Sequence, residues 1–259
     1  IGRLVDQLSL DAVISDNRFG LHTTKVPCVY MTHQVMIKAP MAESLLHKMH
    51  MRFARRFDHC WVPDRKEPPG LSGDLGHFFN LPANANFIGP LSRFEKMEQE
   101  KIFDIVCVIS GPEPQRTRFE KKILDQLAHF SGSALVISGT PEIKQERTDV
   151  MGHRIVPHLS ANELQQAIAQ SKVVLSRSGY STIMDLSVTG GKAIFVPTPG
   201  QTEQQYLARM FDRNKIHLFQ DQNSMDLISA LEEVKDYTGF ESQPCNQFKA
   251  AVDELIDAL

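Results

Sequence analysis

Residues 176–205 read SRSGYSTIMDLSVTGGKAIFVPTPGQTEQQ, and this stretch decides the architecture. An apolar run, VVL, precedes it and ends at Leu175 in the manner of a buried strand. Ser178-Gly179-Tyr180-Ser181-Thr182 then turns the chain into a helix expected over residues 182–188, which stops at Thr189-Gly190-Gly191. A second apolar run, 193–196, is closed by Pro197-Thr198-Pro199-Gly200, and another helix is expected from 203 to 213. Strand, loop and helix in that order, twice over, is the repeat of a parallel α/β layer. Ligands in such sheets gather outside the carboxyl ends of the strands, which is where both loops fall.

The chemistry of these loops suits an anion. A helix N-terminus offers backbone N–H groups without intrahelical acceptors and the positive end of the helix dipole. Gly179 admits a tight turn and a close approach. The hydroxyls of Ser178, Ser181 and Thr182 either cap the helix, as such residues do in many proteins, or donate to phosphate. Asp185 follows Ser181 and Thr182 by four and three residues, on one helical face. Its carboxylate suits a ribose 2′,3′-diol while the loop holds phosphates; the plainer reading is an acid stabilised near a helix start by about 0.3–1 kcal/mol. Gln204 and Gln205 carry amides that match vicinal sugar hydroxyls, and paired glutamines are equally common on solvated helices.

Working outward, short apolar runs alternate with helical segments along most of the chain. In the first half, strands are expected at 12–15, 28–32, 59–62 and 86–88, with a helix from about 40 to 57 and a turn-rich loop at 70–76. Residues 91–101 read as a polar linker. A second set then begins: strand 105–110, helix 116–130, strands 134–138 and 154–156, helix 161–171 and strand 173–175. After the opening stretch come a short strand at 216–219, a helix at 224–233, a loop containing Pro244 and Cys245, and a last helix at 247–259. The expected organisation is 1–92, 93–240 and a terminal helix in 241–259 that crosses back to the first domain. The first half supplies strands for only part of a sheet, whose edge would be open. Since Ile1 falls inside a helical pattern without an initiator Met, residues upstream are expected to be missing.

Composition narrows the class. The 259 residues are 42% hydrophobic and 23% charged, the balance of a soluble globular protein. A net charge of −3 gives no electrostatic footprint for nucleic acid. Cys28, Cys60, Cys107 and Cys245 are scattered without C-x-x-C spacing, which fits a reducing, cytosolic setting rather than zinc or disulfides. No apolar run reaches the roughly 20 residues of a membrane span.

Arg177-Ser178-Gly179, Asp185, Val196-Pro197 and Gln204-Gln205 together resemble the donor domain of the peptidoglycan N-acetylglucosaminyltransferase family, which makes lipid II from a UDP-sugar. The resemblance implies an α/β fold of the GT-B type: two Rossmann-like domains with parallel sheets, the N-terminal one incomplete here. It implies that Ser181 and Thr182 face a diphosphate, that Asp185 stands where the family has a ribose-binding glutamate, and that Gln204 and Gln205 read the sugar. Aspartate is shorter by one methylene. His158 and Leu159, ahead of a capping-box pattern at Ser160 and Glu163, correspond to the family's uracil contact. Arg93, after Gly89-Pro90, resembles a linker arginine on the diphosphate; its plainer reading is a solvated charge. Gly111 matches the first glycine loop, from which Pro112 and Pro114 depart. The resemblance follows the order of elements over residues 10–259 and is motif-specific mainly over 156–205.

The acceptor would face the other half. Asp16 and His33 follow strands there and are the candidates for a catalytic base or an acceptor contact, or else they shape loops; the family's proposed base follows the first strand of its first domain, a segment expected among the missing upstream residues. The stretch LLHKMHMRFARRF at 45–57 reads either as an interfacial helix resting on anionic lipid or, more ordinarily, as an apolar stripe on the sheet with solvated cations. His47-x-x-His50 has no carboxylate pair nearby and is a poor metal site. The implied function is transfer of a hexosyl or N-acetylhexosaminyl group from a UDP-sugar to a lipid-linked or saccharide acceptor, inverting and without metal or cofactor. It would run in the cytoplasm, at the inner face of the plasma membrane where the acceptor is a lipid. The rival readings are an epimerase or hydrolase on the same fold, and a donor-binding subunit that needs a partner.

Overall fold

The computed structural model describes residues 1–35, 43–77, 81–143, 145–148, 152–243 and 246–259, the side chains of 43–48 excepted. Backbone contacts divide the chain into two units, Ser92–Pro244 and the combination of Ile1–Leu91 with Cys245–Leu259.

In the first unit, α1 (Gly2–Leu8) leads into β1 (Val13–Asp16), β2 (Cys28–Met31), α2 (Glu43–Ala54), β3 (His59–Val62) and β4 (Ala85–Phe87). The strands form a parallel sheet in that same order. β2, with neighbours on both sides, buries Cys28, Val29 and Tyr30 in succession, as a strand covered on both faces must. Edge strand β1 alternates instead, with Val13 and Ser15 inside and Ile14 and Asp16 outside. The start expected for α2 near residue 40 and the side chain of His47 lie outside the described residues. Farther along, Met51 packs with Val35 and Val62, while Ala54 and Phe57 join Cys28, Tyr30 and Cys60. Arg52, Arg55 and Arg56 are exposed, so this end of the helix lays its apolar stripe on the sheet.

The loop after β3 folds around Asp64. This fully buried carboxylate accepts from Leu71 N–H (2.6 Å), from Ser72 N–H (2.9 Å) and from the Ser72 hydroxyl, and pairs with His77 at 3.3 Å. Burial raises its pKa, but the bonds from His77, Ser72 and the two amides outweigh that and leave it below the usual carboxylate range. Gly70 is required here: its φ is +58°, and a Cβ would lie 2.7 Å from the carboxylate.

The second unit runs β5 (Phe103–Val108), α3 (Gln115–Leu127), β6 (Ala134–Ile137), β7 (Arg147–Thr148), β8 (Arg154–Val156), α4 (Ala161–Ala169), β9 (Ser171–Ser176), α5 (Tyr180–Thr189), β10 (Lys192–Phe195), α6 (Thr202–Arg213), β11 (Leu218–Phe219) and α7 (Leu227–Glu233). The sheet order is β11-β10-β9-β5-β6-β8-β7, parallel except for β7. One face packs Ile105, Cys107 and Val136 against Phe119, Ile123 and Leu127 of α3 and against α7. The other packs Val106, Leu135 and Ile137 against Ala167 of α4. The Ser160–Glu163 capping box starts α4 as its spacing predicts. β7 has no counterpart in the sequence reading, because both of its residues are exposed and carry no apolar signal.

Residues 91–101, expected as a polar linker, carry no helix or strand and are mostly exposed, yet they are tethered. Phe94 is buried, Gln165 Nε2 donates to the Glu95 carbonyl and Lys101 Nζ to that of Ala169, both at 2.8 Å. The segment is thereby fastened along α4. The last helix, α8 (Gln247–Asp257), belongs to the first unit, where Ala251 and Leu255 meet Val29, Trp61 and Ile88. The Pro244 and Cys245 loop lies outside the described residues.

Candidate functional site

The chain moves from β5 outward to β6 and β8, then returns to place β9 on the other side of β5. Sheets of this kind take their ligands where the direction reverses, which here is between the loops that leave the carboxyl ends of β5 and β9. Gly111 lies on the first loop, and Ser178 and Gly179 on the second.

Gly111 has φ +107°, a conformation that side-chain-bearing residues rarely adopt, and Thr198 Oγ1 lies 3.6 Å from where its Cβ would be. Gly179 is different. It caps α5 with ordinary extended angles (φ −68°, ψ 143°), and nothing stands within 4 Å of the Cβ position. Its lack of a side chain therefore serves open space rather than backbone conformation. No side chain caps α5, so its first turn presents backbone N–H groups.

The helix begins at Tyr180, two residues before the expected start, because the buried Tyr180 ring anchors a first turn that reads as loop in sequence. Ser181 and Thr182 are accordingly the second and third helical residues, exposed and half-buried. Ser178 is fully buried, and its hydroxyl donates to the Gln204 carbonyl (2.8 Å), tying this loop to α6. Gln204 Oε1 accepts the Thr198 N–H at 2.8 Å, and its Nε2 donates to Gln201, so this amide braces the Pro197–Gly200 turn. Gln205 is half-buried in the first turn of α6.

Beneath these loops lies Arg177, whose side chain is among the largest fully buried ones. It donates to the carbonyls of Val196 (2.9 Å), Pro197 (3.1 Å) and Gln115 (3.2 Å) and to Gln222 Oε1 (2.6 Å). The guanidinium carbon also sits 3.9 Å from the Phe119 ring centroid. Burial lowers its pKa to about 10, which leaves it charged at neutral pH. Its partners are neutral oxygens rather than carboxylates, so the positive charge is not cancelled. Beside it, Ser176 Oγ, Arg177 Nε and Thr198 Oγ1 are buried without a hydrogen-bond partner among the described residues. Such atoms are rare in folded proteins, and two of these, Thr198 Oγ1 and Arg177 Nε, lie 3.6 and 4.0 Å from the Cβ position of Gly111.

Asp185 lies in the second turn of α5, half-buried, and Ser92 donates to its Oδ1 at 2.6 Å. Burial raises its pKa, opposed by the Ser92 bond and the charge of Arg93. Arg93 is exposed, with its guanidinium over Phe94 at 5.4 Å. His158 is exposed ahead of the α4 cap, and Leu159 packs on the sheet face with Val156.

In the first unit, Asp16 ends β1 and His33 lies two residues beyond β2, at the carboxyl ends of adjacent strands. The loop between them is pinned by Asn17, in a left-handed conformation (φ 53°), whose Oδ1 accepts from Tyr30 Oη (3.0 Å) and Thr32 Oγ1 (3.3 Å). His50 reaches the same tyrosine at 3.2 Å. The described residues contain no group of three or more His, Cys, Asp or Glu placed to hold a metal ion.

A doubly wound parallel sheet whose order reverses between β5 and β9, in a chain that carries a second parallel sheet, is an α/β fold of the GT-B type. The chain is a member of the glycosyltransferase family described as "Glycosyltransferase family 28 C-terminal domain", matched over residues 115–255. It is 28% identical over 108 residues to the UDP-N-acetylglucosamine--N-acetylmuramyl-(pentapeptide) pyrophosphoryl-undecaprenol N-acetylglucosamine transferase of Buchnera aphidicola subsp. Schizaphis graminum (strain Sg), which is 39% of this chain and 30% of that protein. The protein of the same name from Finegoldia magna is 30% identical over 97 residues, 36% of this chain and 26% of the relative. The match thus spans less than a third of either relative. Among solved structures, Acinetobacter baumannii MurG superposes with a TM-score of 0.59 at 13% identity, covering 98% of this chain and 77% of that one.

Proposed function

We propose that this chain carries the donor side of a glycosyltransferase that moves a hexosyl or N-acetylhexosaminyl group from a UDP-sugar to a lipid-linked or polysaccharide-precursor acceptor. The observation that carries this reading is Asp185, a half-buried carboxylate one turn behind an uncapped helix start at the sheet's switch point. The diphosphate rests on the first turn of α5, where Ser181 and Thr182 supply hydroxyls, and between the Gly111 and Gly179 loops. Asp185 takes the ribose. Gln205 reads the sugar, with Gln204 and Ser178 holding the surrounding turn. His158 and the backbone at Leu159 flank the base. Family membership and the names of both relatives support the donor class.

An acceptor hydroxyl attacks the anomeric carbon and passes its proton to a general base, while the bond from that carbon to the diphosphate oxygen breaks with inversion and its electron pair leaves on the diphosphate. The leaving diphosphate gains charge, which the helix end and Arg93 meet without requiring a divalent metal. Asp16 and His33 are the acceptor-side candidates in the first unit. A lipid-linked acceptor would place the work at the cytoplasmic face of a membrane; no helix among the described residues is long and apolar enough to cross one.

Calorimetry with UDP, GDP, CMP and TDP tests the assignment. UDP is expected to bind best, and Asp185→Ala to weaken it by about tenfold or more, the scale of hydrogen bonds to a charged group. Equal affinity for all four nucleotides, or indifference to Asp185→Ala, would remove the donor site from these loops.

A further inference from the structure

Asp185 is not alone in its place, for the hydroxyl of Ser92 lies against its carboxylate. Ser92, 93 positions earlier in sequence, donates its hydroxyl proton to Asp185 Oδ1 at 2.6 Å and accepts the Phe94 N–H at 3.0 Å. A hydroxyl has one proton and two acceptor lone pairs. One lone pair of Ser92 Oγ is therefore still available beside a carboxylate whose other oxygen retains its own acceptor sites. Both residues are half-buried, neither sealed from solvent nor loose in it. Ser92 is also held in position, since the next residues run into the buried Phe94 and the Gln165 bond to Glu95.

Resting on the donor-site reading above, we infer that Ser92 and Asp185 form a composite diol reader, with Ser92 a specificity-determining residue for the ribose. One ribose hydroxyl donates to Asp185 Oδ2 and its vicinal neighbour to Ser92 Oγ. The Ser92–Asp185 bond persists, keeping both oxygens at a fixed separation. The short aspartate then needs no extra reach, because the second acceptor comes from another side chain. The bond also compensates part of the carboxylate's desolvation, which keeps an acceptor-only form available for the diol. Two acceptors from two residues discriminate a vicinal diol from a single hydroxyl, since a missing hydroxyl leaves a half-buried acceptor unpaired.

The test is a calorimetric comparison of UDP, 2′-deoxy-UDP and 3′-deoxy-UDP on the wild-type chain, on Ser92→Ala, and on the double variant Ser92→Ala with Asp185→Glu. The wild type is expected to prefer UDP over both deoxy analogues by about tenfold, one hydrogen bond's worth. Ser92→Ala should lose about that factor for UDP and for one analogue only, so its preference over the analogue lacking the Ser92-facing hydroxyl collapses to near unity. The longer glutamate of the double variant should restore part of the discrimination. A merely structural serine would instead weaken all three ligands equally, and that result, or an unchanged ribose-to-deoxyribose ratio, overturns the inference while leaving the donor-site reading in place. Absence of UDP binding to the wild type overturns the donor-site reading and this inference with it.

Discussion

Arg177→Met is the perturbation that most directly probes how the loops of the proposed site are built. Methionine keeps much of the stem volume but none of the five donors. Four oxygens lose their partner at once: Val196 and Pro197 at the end of β10, Gln115 at the start of α3, and Gln222 ahead of α7. Each buried acceptor left unpaired costs about 1–3 kcal/mol, and partial relaxation or water entry keeps the sum below strict addition. Against this, the substitution relieves the desolvation that lowers the Arg177 pKa. The expected net loss is about 3 kcal/mol, the scale of two or so buried acceptors left unpaired. Urea unfolding followed by circular dichroism reads it as a drop in midpoint without a change in slope. Arg177→Lys keeps the charge but cannot fork to carbonyls on separate elements, so it should recover less than half of the loss. UDP affinity should fall in both variants, more in the methionine. A loss below about 1 kcal/mol in Arg177→Met, with UDP binding unchanged, would refute the view that this guanidinium organises the loops.

Three further expectations follow from the packing. His217 is enclosed by Phe195, Phe211 and Phe240, and burial depresses its pKa to about 3, so the fold favours the neutral ring. Its contribution is complete above the unfolded value near 6.5 and declines toward pH 3 by up to about 1.4 kcal/mol per pH unit; His217→Phe should flatten that part of the stability–pH curve relative to wild type. Asp64→Asn should cost the first unit about 2–4 kcal/mol, since an amide nitrogen replaces an oxygen that accepts from Ser72 and pairs with His77, and hydrogen exchange at Leu71 and Ser72 would report the opening. Gly179→Ala should cost no more than about 1 kcal/mol of stability, the scale of a poorer N-cap residue, because φ is ordinary and the Cβ meets nothing, while UDP affinity drops by about tenfold or more; unaltered affinity would mean that no ligand uses that space.

What the sequence made legible was local. Helix and strand identities over 154–213 follow from apolar periodicity, and the α4 cap from the spacing of Ser160 and Glu163, since both signals act within one or two turns. The start of α5 escapes such a reading because Tyr180 lacks a cap signature, and only its burial reveals the first turn. Contacts between distant residues leave no such mark. Ser92 reaches Asp185 across 93 positions and Arg177 reaches Gln115 across 62, and no periodicity encodes either. Ser178 and Gln204 show the converse. Their residue types suit phosphate and sugar, yet the hydroxyl of one meets the carbonyl of the other, and the Gln204 amide braces a neighbouring turn. A polar side chain beside a crevice serves the ligand or the loop, and only coordinates distinguish the two.

On the proposed donor-site reading, the arrangement of charge lets an acid and an anion site lie close together without conflict. With a net charge of −3, the chain draws no dianion toward itself by its overall field, so attraction must be local. Arg177 supplies a fixed, uncancelled charge beneath the loops, and α5 adds the partial positive charge of its uncapped end. Arg177's effect is weakly screened because the guanidinium is buried. Asp185, by contrast, is set back in the second turn, behind the helix end rather than at it, and its charge is softened by Ser92 and Arg93. Repulsion of phosphate falls with that separation, while the carboxylate remains available to hydroxyl donors. Moving the acid forward by one turn, with Ser181→Asp in an Asp185→Ala background, would place the same charge beside the α5 N–H groups. That variant should gain helix stability of about 0.3–1 kcal/mol from the dipole yet lose UDP binding further than Asp185→Ala alone. If it instead bound UDP as well as the wild type does, position along α5 would not be what separates ribose from phosphate.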